Sequence, residues 1–383
     1  MMSCAISGGI QQREPSRPKR LVVLVLSAVL ALVSMGAGPP VLTGSRPGSL
    51  PLYARQIDAY QAGQRAPVLS APSATLVDVD TGNVLLSINP DLSRPMASTT
   101  KIMTALLALE RADLADRVVV PASALIGEAS MGLFAGEILT VEDLLWGLLL
   151  NSGNDAAMVL AEHVAGSEEA FVVLMNERAA SLGMFNTRFA NPHGLDEPGH
   201  FSSAEDLWRM TQAALRYPKF REIVATQFHT VAGHSLWSRN EMLGNVEGAD
   251  GVKTGTTDLA GQCLVGSVTG PGGHQAVSVV LGSGDRYADA QALFSHYDRF
   301  YRWAPLPQIQ GQAAWQRGAD DRPYRLVATE TPELFLPDWQ WDRVRAQAVI
   351  DGNEPAGQQS AGAVRWYLGA QLLAEAPAIW SAY

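Results

Sequence analysis

Ser98-Thr99-Thr100-Lys101 sets a hydroxyl and an amine three residues apart. At a helix start that spacing puts both side chains on one face, and a serine that attacks an amide carbonyl needs a base within hydrogen-bond reach. The pattern is short, and Ser16-Arg17-Pro18-Lys19 repeats it. That copy carries a proline and opens no amphipathic helix, whereas Ser98 precedes Ile102, Ala105, Leu106 and Leu109 at helical spacing. Ser152-Gly153-Asn154 adds a second hydroxyl and an amide, groups able to relay a proton and orient a substrate. Ser87-Ile88-Asn89 and Ser238-Arg239-Asn240 share its form, but only the Ser152 copy lies in a glycine-containing break between two apolar helical segments. Lys253-Thr254-Gly255 occurs once and leads toward a strand-like run. Lysine and threonine on a strand edge can hold a carboxylate, and glycine there lets a substrate backbone come close. Taken singly, these residues read as a helix cap, a turn and a solvated edge charge. The three in this order, each in the local setting its chemistry needs, point to acyl transfer through a serine.

The elements that must position them follow from periodicity. Residues 74–79 and 84–88 are short apolar stretches around Asp80-Thr81-Gly82, a hairpin pattern. Residues 98–112, 141–150, 156–164 and 203–215 read as helices, the last capped by Ser203. Strand-like runs return at 228–231, 261–268 and 276–281, and 289–303 closes the unit as an amphipathic helix. Strands at both ends with helices between predict one sheet in which the N-terminal hairpin pairs beside the late strands. After Pro305 and Pro307, partly alternating segments at 325–328, 344–350 and 364–368 predict a small all-β module.

The 383 residues, 47% hydrophobic and 17% charged, suit a packed globular chain of two domains. A net charge of −10 argues against a nucleic-acid binder. Arg13, Arg17, Lys19 and Arg20 precede an apolar run over 21–35 that exits through Gly36-Ala37-Gly38. These are the parts of a secretory signal, and the run is shorter than the roughly 20 residues that cross a bilayer comfortably. An exported, periplasmic or extracytoplasmic protein associated with the cell wall is expected, with membrane contact only through the N-terminal segment if it stays uncleaved. Of the two cysteines, Cys4 leaves with that segment, and Cys263 reads as a small buried hydrophobe. The expected organisation is a signal over 1–37, a linker over 38–70, a catalytic domain over 71–304 and a β-domain over 305–383.

Longer segments resemble a known family. Pro95-Met96-Ala97-Ser98-Thr99-Thr100-Lys101-Ile102-Met103-Thr104 is similar to the nucleophile segment of the low-molecular-mass penicillin-binding proteins, the serine D-alanyl-D-alanine carboxypeptidases. So are Asn151-Ser152-Gly153-Asn154-Asp155-Ala156, Asn191-Pro192-His193-Gly194-Leu195, Gly251-Val252-Lys253-Thr254-Gly255-Thr256-Thr257 and Ala260-Gly261-Gln262-Cys263-Leu264. The resemblance implies an α/β fold: a penicillin-binding, serine β-lactamase-like domain with an antiparallel sheet, flanking helices and a helical subdomain, plus a small C-terminal β-domain.

It also implies roles. Ser98 forms the acyl-enzyme, and Lys101 must be neutral to take its proton; a second lysine and burial push its pKa down. Ser152 and Lys253 pass a proton to the leaving D-alanine, and Asn154 holds the peptide chain. Lys253, Thr254, Gly255, Thr256 and Arg286 bind substrate, with the Thr254 hydroxyl and Arg286 on its terminal carboxylate. The amides of Ser98 and Thr256 form the oxyanion hole. The implied partners are a peptidoglycan stem peptide as substrate and β-lactams as covalent inhibitors, with no cofactor. His193 and His200 lack a third ligand at a recognisable spacing, so a loop-ordering role is expected rather than a metal site.

Two departures stand out. Thr256 occupies a position where the family often has histidine, and no amphipathic segment of the kind that anchors many members is expected near residue 383. No Glu-x-x-Leu-Asn segment lies between Asn154 and Lys253, which argues against a β-lactamase. A D,D-endopeptidase of the same fold and a non-catalytic wall-binding scaffold are the competing readings.

Overall fold

The computed structural model describes residues 66–311, 314–351, 355 and 360–382. The expected signal and residues 38–65 of the expected linker lie outside the described residues. The chain runs through β1 (Ser73–Asp78), β2 (Val84–Ile88), α1 (Lys101–Arg111), β3 (Arg117–Val119), β4 (Ile138–Thr140), α2 (Val141–Leu149), α3 (Asn154–Ala165), α4 (Glu168–Ser181), α5 (Ala204–Ala214) and α6 (Pro218–Val224). It continues through β5 (Phe228–Val231), β6 (His234–Trp237), β7 (Ala249–Thr257), β8 (Gly261–Thr269), β9 (Gln275–Ser283), α7 (Arg286–Phe300) and β10 (Tyr301–Pro305).

The central sheet has the order β2-β1-β9-β8-β7, all pairs antiparallel. The N-terminal hairpin therefore pairs with the late strands as expected, and the Lys253 segment lies on the edge strand. Strand side chains alternate between two cores. Val77, Cys263, Val265, Val277 and Val279 face the helical side with Ile102, Leu106, Leu148, Val159 and Phe171. Leu76, Leu264, Ala276 and Val280 face Leu293 and Phe294 of α7. A sheet covered on both faces explains the nearly unbroken apolar runs of β8 and β9.

The helix expected at 289–303 is corrected. It starts at Arg286, where the Asp285 carboxylate accepts from the Tyr287 and Ala288 amides, and ends at Phe300. Tyr301–Pro305 is instead a strand paired with Glu333–Pro337; Tyr301 and Trp303, two apart, both lie against Phe335. Two apolar residues spaced two apart belong to a strand face, and the strand partner is distant in sequence.

The C-terminal part holds β11 (Trp315–Arg317), β12 (Pro323–Ala328), β13 (Glu333–Pro337), the short α8 (Asp338–Trp341), β14 (Val344–Ile350), β15 (Ser360–Leu368) and β16 (Gln371–Ala382). Five of these strands form an antiparallel sheet, β11-β12-β16-β15-β14. Its own core includes Leu326, Leu336, Val364, Trp366 and Trp380. The module is not wholly β, because α8 interrupts it.

Candidate active site

Ser98 lies in a single 3-10 turn, Ala97–Thr100, immediately ahead of α1. Three residues per turn bring positions three apart into line, and Lys101 Nζ reaches Ser98 Oγ at 2.9 Å. Lys101 is fully buried at 0% exposure. Its amine also donates to Asn154 Oδ1 at 2.7 Å and to the His193 carbonyl at 2.5 Å. Burial holds its pKa well below the ordinary lysine range, and the charge on Lys253 pushes the same way; Asp155 and Glu128 oppose. A neutral amine with two N–H groups committed to those oxygens keeps its lone pair for the Ser98 hydroxyl.

The loop over 190–200 is built around this turn. Thr104 donates to the Pro192 carbonyl at 2.6 Å, and Asn191 Oδ1 accepts from the Gly194 amide at 2.7 Å. Gly194 has φ 92°, and a Cβ there would lie 2.2 Å from the Ala97 carbonyl oxygen. His200 Nδ1 accepts from the Ala190 amide at 2.9 Å. Its Nε2 meets Thr100 Oγ1 at 2.7 Å, and that hydroxyl donates to the Ala97 carbonyl. The chain of bonds assigns the neutral Nε2–H tautomer, in line with burial lowering the His200 pKa to about 4. Burial lowers His193 to about 3. His200 thus ties the loop to the nucleophile turn, and within the loop His193 Nδ1 accepts from the Leu195 amide at 3.2 Å. Among the described residues, no group of three or more His, Cys, Asp or Glu side chains is placed to hold a metal ion.

Ser152 sits in the tight link between α2 and α3 with φ 62°. Lys253 Nζ donates to its hydroxyl at 3.0 Å and to the Thr254 carbonyl at 2.9 Å. Burial lowers Lys253 to about 7, and the charges on Arg286 and Arg239 add to the shift. Asn154 is only 1% exposed and faces Lys101, with its Nδ2 donating to the Gly127 carbonyl at 3.1 Å. It therefore holds the base in place and does not itself line the cleft described below. Its neighbour Asp155 was not singled out by sequence. That buried carboxylate accepts from the Ser130 hydroxyl and from the amides of Met131, Gly132 and Leu133, fixing the loop that carries Glu128 and Ala129.

A cleft of about 770 Å³ is lined by Ser98, Ser152, Thr254, Gly255, Thr256 and Arg286, with Glu128, Arg239 and Tyr287 among the residues around them. A Cβ on Gly255 would lie 2.8 Å from the Ser98 nitrogen. The glycine thus admits the protein's own nucleophile turn, where sequence had it admitting substrate backbone. This approach sets the Ser98 amide against the strand that carries Thr256. Arg286 donates to the Gly255 carbonyl at 2.9 Å, to the Cys263 carbonyl at 3.0 Å, to Gln262 Oε1 at 3.1 Å and to the Thr256 hydroxyl. Gln262 is a second residue that sequence reasoning passed over. Cys263 is buried at 0% exposure and burial raises its pKa, so it packs as a hydrophobe.

All nine residues expected at the site are thus brought together, six of them lining the cleft and Lys101, Asn154 and Lys253 buried behind it. The family model for D-alanyl-D-alanine carboxypeptidases (peptidase S11) matches residues 60–285. The chain belongs to that family. It is 34% identical over 333 residues to D-alanyl-D-alanine carboxypeptidase DacC of Escherichia coli, covering 81% of this chain and 82% of that one. It is 38% identical over 244 residues to D-alanyl-D-alanine carboxypeptidase DacF of Bacillus subtilis, where the match spans 60% of this chain and 62% of the relative. Among solved structures, penicillin binding protein 5 from Haemophilus influenzae superposes with a TM-score of 0.63 at 28% identity, covering 83% of this chain and 98% of that one. The Streptomyces K15 DD-transpeptidase superposes with a TM-score of 0.58 at 29% identity, covering 62% of this chain and 100% of that one. These likenesses establish the penicillin-binding fold and a serine-type carboxypeptidase.

Proposed function

We propose that this enzyme releases the terminal D-alanine from peptidoglycan stem pentapeptides through an acyl-enzyme on Ser98, and that β-lactams trap the same serine. The observation that carries the reading is the buried Lys101 amine, held by two oxygens and 2.9 Å from Ser98 Oγ.

Lys101 takes the Ser98 proton as the oxygen attacks the penultimate carbonyl. The amides of Ser98 and Thr256 meet the developing oxyanion, each donor worth about 3 kcal/mol of barrier. Collapse expels D-alanine, whose nitrogen takes a proton through Ser152 from Lys253; a pKa of about 7 leaves that lysine able to give and regain it. Thr254 and Arg286 hold the terminal carboxylate. Lys101 then gives its proton up to solvent and Lys253 regains one, which resets both lysines. Neutral Lys101 deprotonates a water that attacks the ester carbonyl, and the proton passes on to the departing Ser98 oxygen as the peptide acid is freed. The basic and apolar pattern of residues 13–38 supports export, which places this chemistry outside the cytoplasm.

The test is incubation with a fluorescent penicillin and with a stem pentapeptide. Wild type takes the label on the peptide containing Ser98 and releases D-alanine, and Ser98→Ala does neither. Label that persists in Ser98→Ala rejects the nucleophile. Cross-linked dimers cut much faster than pentapeptide would make the enzyme an endopeptidase.

A further inference from the structure

Arg286 is 8% exposed, yet all its side-chain hydrogen-bond acceptors are neutral: two carbonyls, the Thr256 hydroxyl and the Gln262 amide. Among the described residues it joins no ion pair. Glu241 and Asp285 line the same cleft without pairing with it, and Glu241 acts on it only from a longer range. A guanidinium has five N–H donors, so these four bonds leave one uncommitted in a group that lines the cleft. A buried cation without a counter-ion favours a ligand that brings one.

Gln262 sets this arrangement. It stands directly across from Thr256 in the β7–β8 pairing. Its Oε1 accepts from both the backbone amide and Nε of Arg286, at 3.2 and 3.1 Å. Its Nε2 donates to the Gly284 carbonyl at 3.2 Å. Turning the amide over would set an NH2 against two N–H donors and a carbonyl against a carbonyl, so the network permits one orientation. The side chain orients the fork without neutralising it. A glutamate of the same length would orient it and also neutralise it.

We propose that Gln262 is a positioning residue that keeps Arg286 an oriented, unpaired cation and thereby sets the preference for substrates ending in a free carboxylate. The inference rests on the carboxypeptidase reading for the identity of the anion. Because the contact exists in bound substrate as well as in the transition state, its loss falls mainly on KM.

D-alanine release is measured on a pentapeptide with a free terminal carboxylate and on its terminal amide, in wild type, Gln262→Glu and Gln262→Leu, with thermal melting to confirm folding. Wild type prefers the free acid roughly ten- to a hundredfold, the range of a charge-assisted hydrogen bond. Gln262→Glu lowers kcat/KM on the acid about tenfold, through KM, and leaves the amide nearly unchanged; Gln262→Leu moves the same way by less. An equal loss on both peptides, or no loss on either, overturns the role. A wild type that cleaves neither peptide rejects the carboxypeptidase reading instead. The Gln262 role is then decided by calorimetry of acetyl-D-alanyl-D-alanine and its amide on Ser98→Ala with and without Gln262→Glu. An unchanged ratio of the two Kd values overturns it.

Discussion

Lys101 decides whether the serine can act, and its state is a consequence of where it is buried. An ammonium at 0% exposure loses its hydration, and a second lysine nearby adds repulsion, so the neutral form is favoured. Neutral lysine becomes more populated as pH rises. Acylation by penicillin is therefore expected to increase with pH through the depressed Lys101 pKa and to level off below the usual lysine range. Arginine cannot deprotonate in a protein, so Lys101→Arg is expected to cut acylation by about 10²–10⁴-fold, the range of general-base catalysis. A stopped-flow penicillin assay across pH checks both statements; a Lys101→Arg rate close to wild type means the proton goes elsewhere. Lys253 is among the causes that depress Lys101, so Lys253→Met is expected to move the rise in any remaining acylation to higher pH in the same assay.

At the scale of elements, the site is three pieces of backbone in contact: the 3-10 turn before α1, the edge strand β7 and the loop over 190–200. Glycine makes both approaches possible, Gly255 from the strand and Gly194 from the loop. A Cβ at Gly194 would meet the Ala97 carbonyl carbon at 2.5 Å and the Ser98 nitrogen at 2.9 Å, both backbone atoms that cannot rotate away. Its φ of 92° adds a left-handed penalty of about 1–2 kcal/mol for any L side chain. Gly194→Ala is expected to reduce acylation roughly a hundredfold, the cost of moving a nucleophile by about 1 Å, with the chain still folded by circular dichroism. Unchanged acylation would mean that the loop yields and the turn does not. The helix that carries Lys101 and the link that carries Ser152 were legible from apolar periodicity on either side. The loop has no period, so its Asn191-Pro192-His193-Gly194 segment was visible only as a resemblance.

Across the whole molecule, the catalytic cores and the C-terminal core share no residue. β10 and β13 join the two parts by pairing Tyr301–Pro305 with Glu333–Pro337. Trp366, 0% exposed, fills the C-terminal core and donates from Nε1 to the Pro307 carbonyl at 2.7 Å. Trp366→Ala is expected to destabilise that core by about 3–5 kcal/mol. Penicillin acylation at 25 °C is expected to stay within about twofold, because distant sites with no shared partner act almost independently. Calorimetry paired with the labelling assay checks this; a parallel loss of labelling would show that the C-terminal sheet supports the cleft.

Residue type and local period were enough to single out Ser98, Lys101, Ser152, Asn154 and Lys253, because each stands at the start of a helix, in a glycine break or in a strand, and those settings are written in neighbouring residues. The same local signals located the hairpin at β1 and β2 and its pairing with the late strands. They could not separate the end of α7 from β10, since the strand depends on a partner about thirty residues further on. Nor could they assign Asn154 to the base, find Asp155 beneath the 129–133 loop or connect Gln262 to Arg286. Those relations are contacts across 22 to 53 positions of chain. Which groups share a low-dielectric interior, and so which lysine stays neutral, is set by burial that only the packed structure creates.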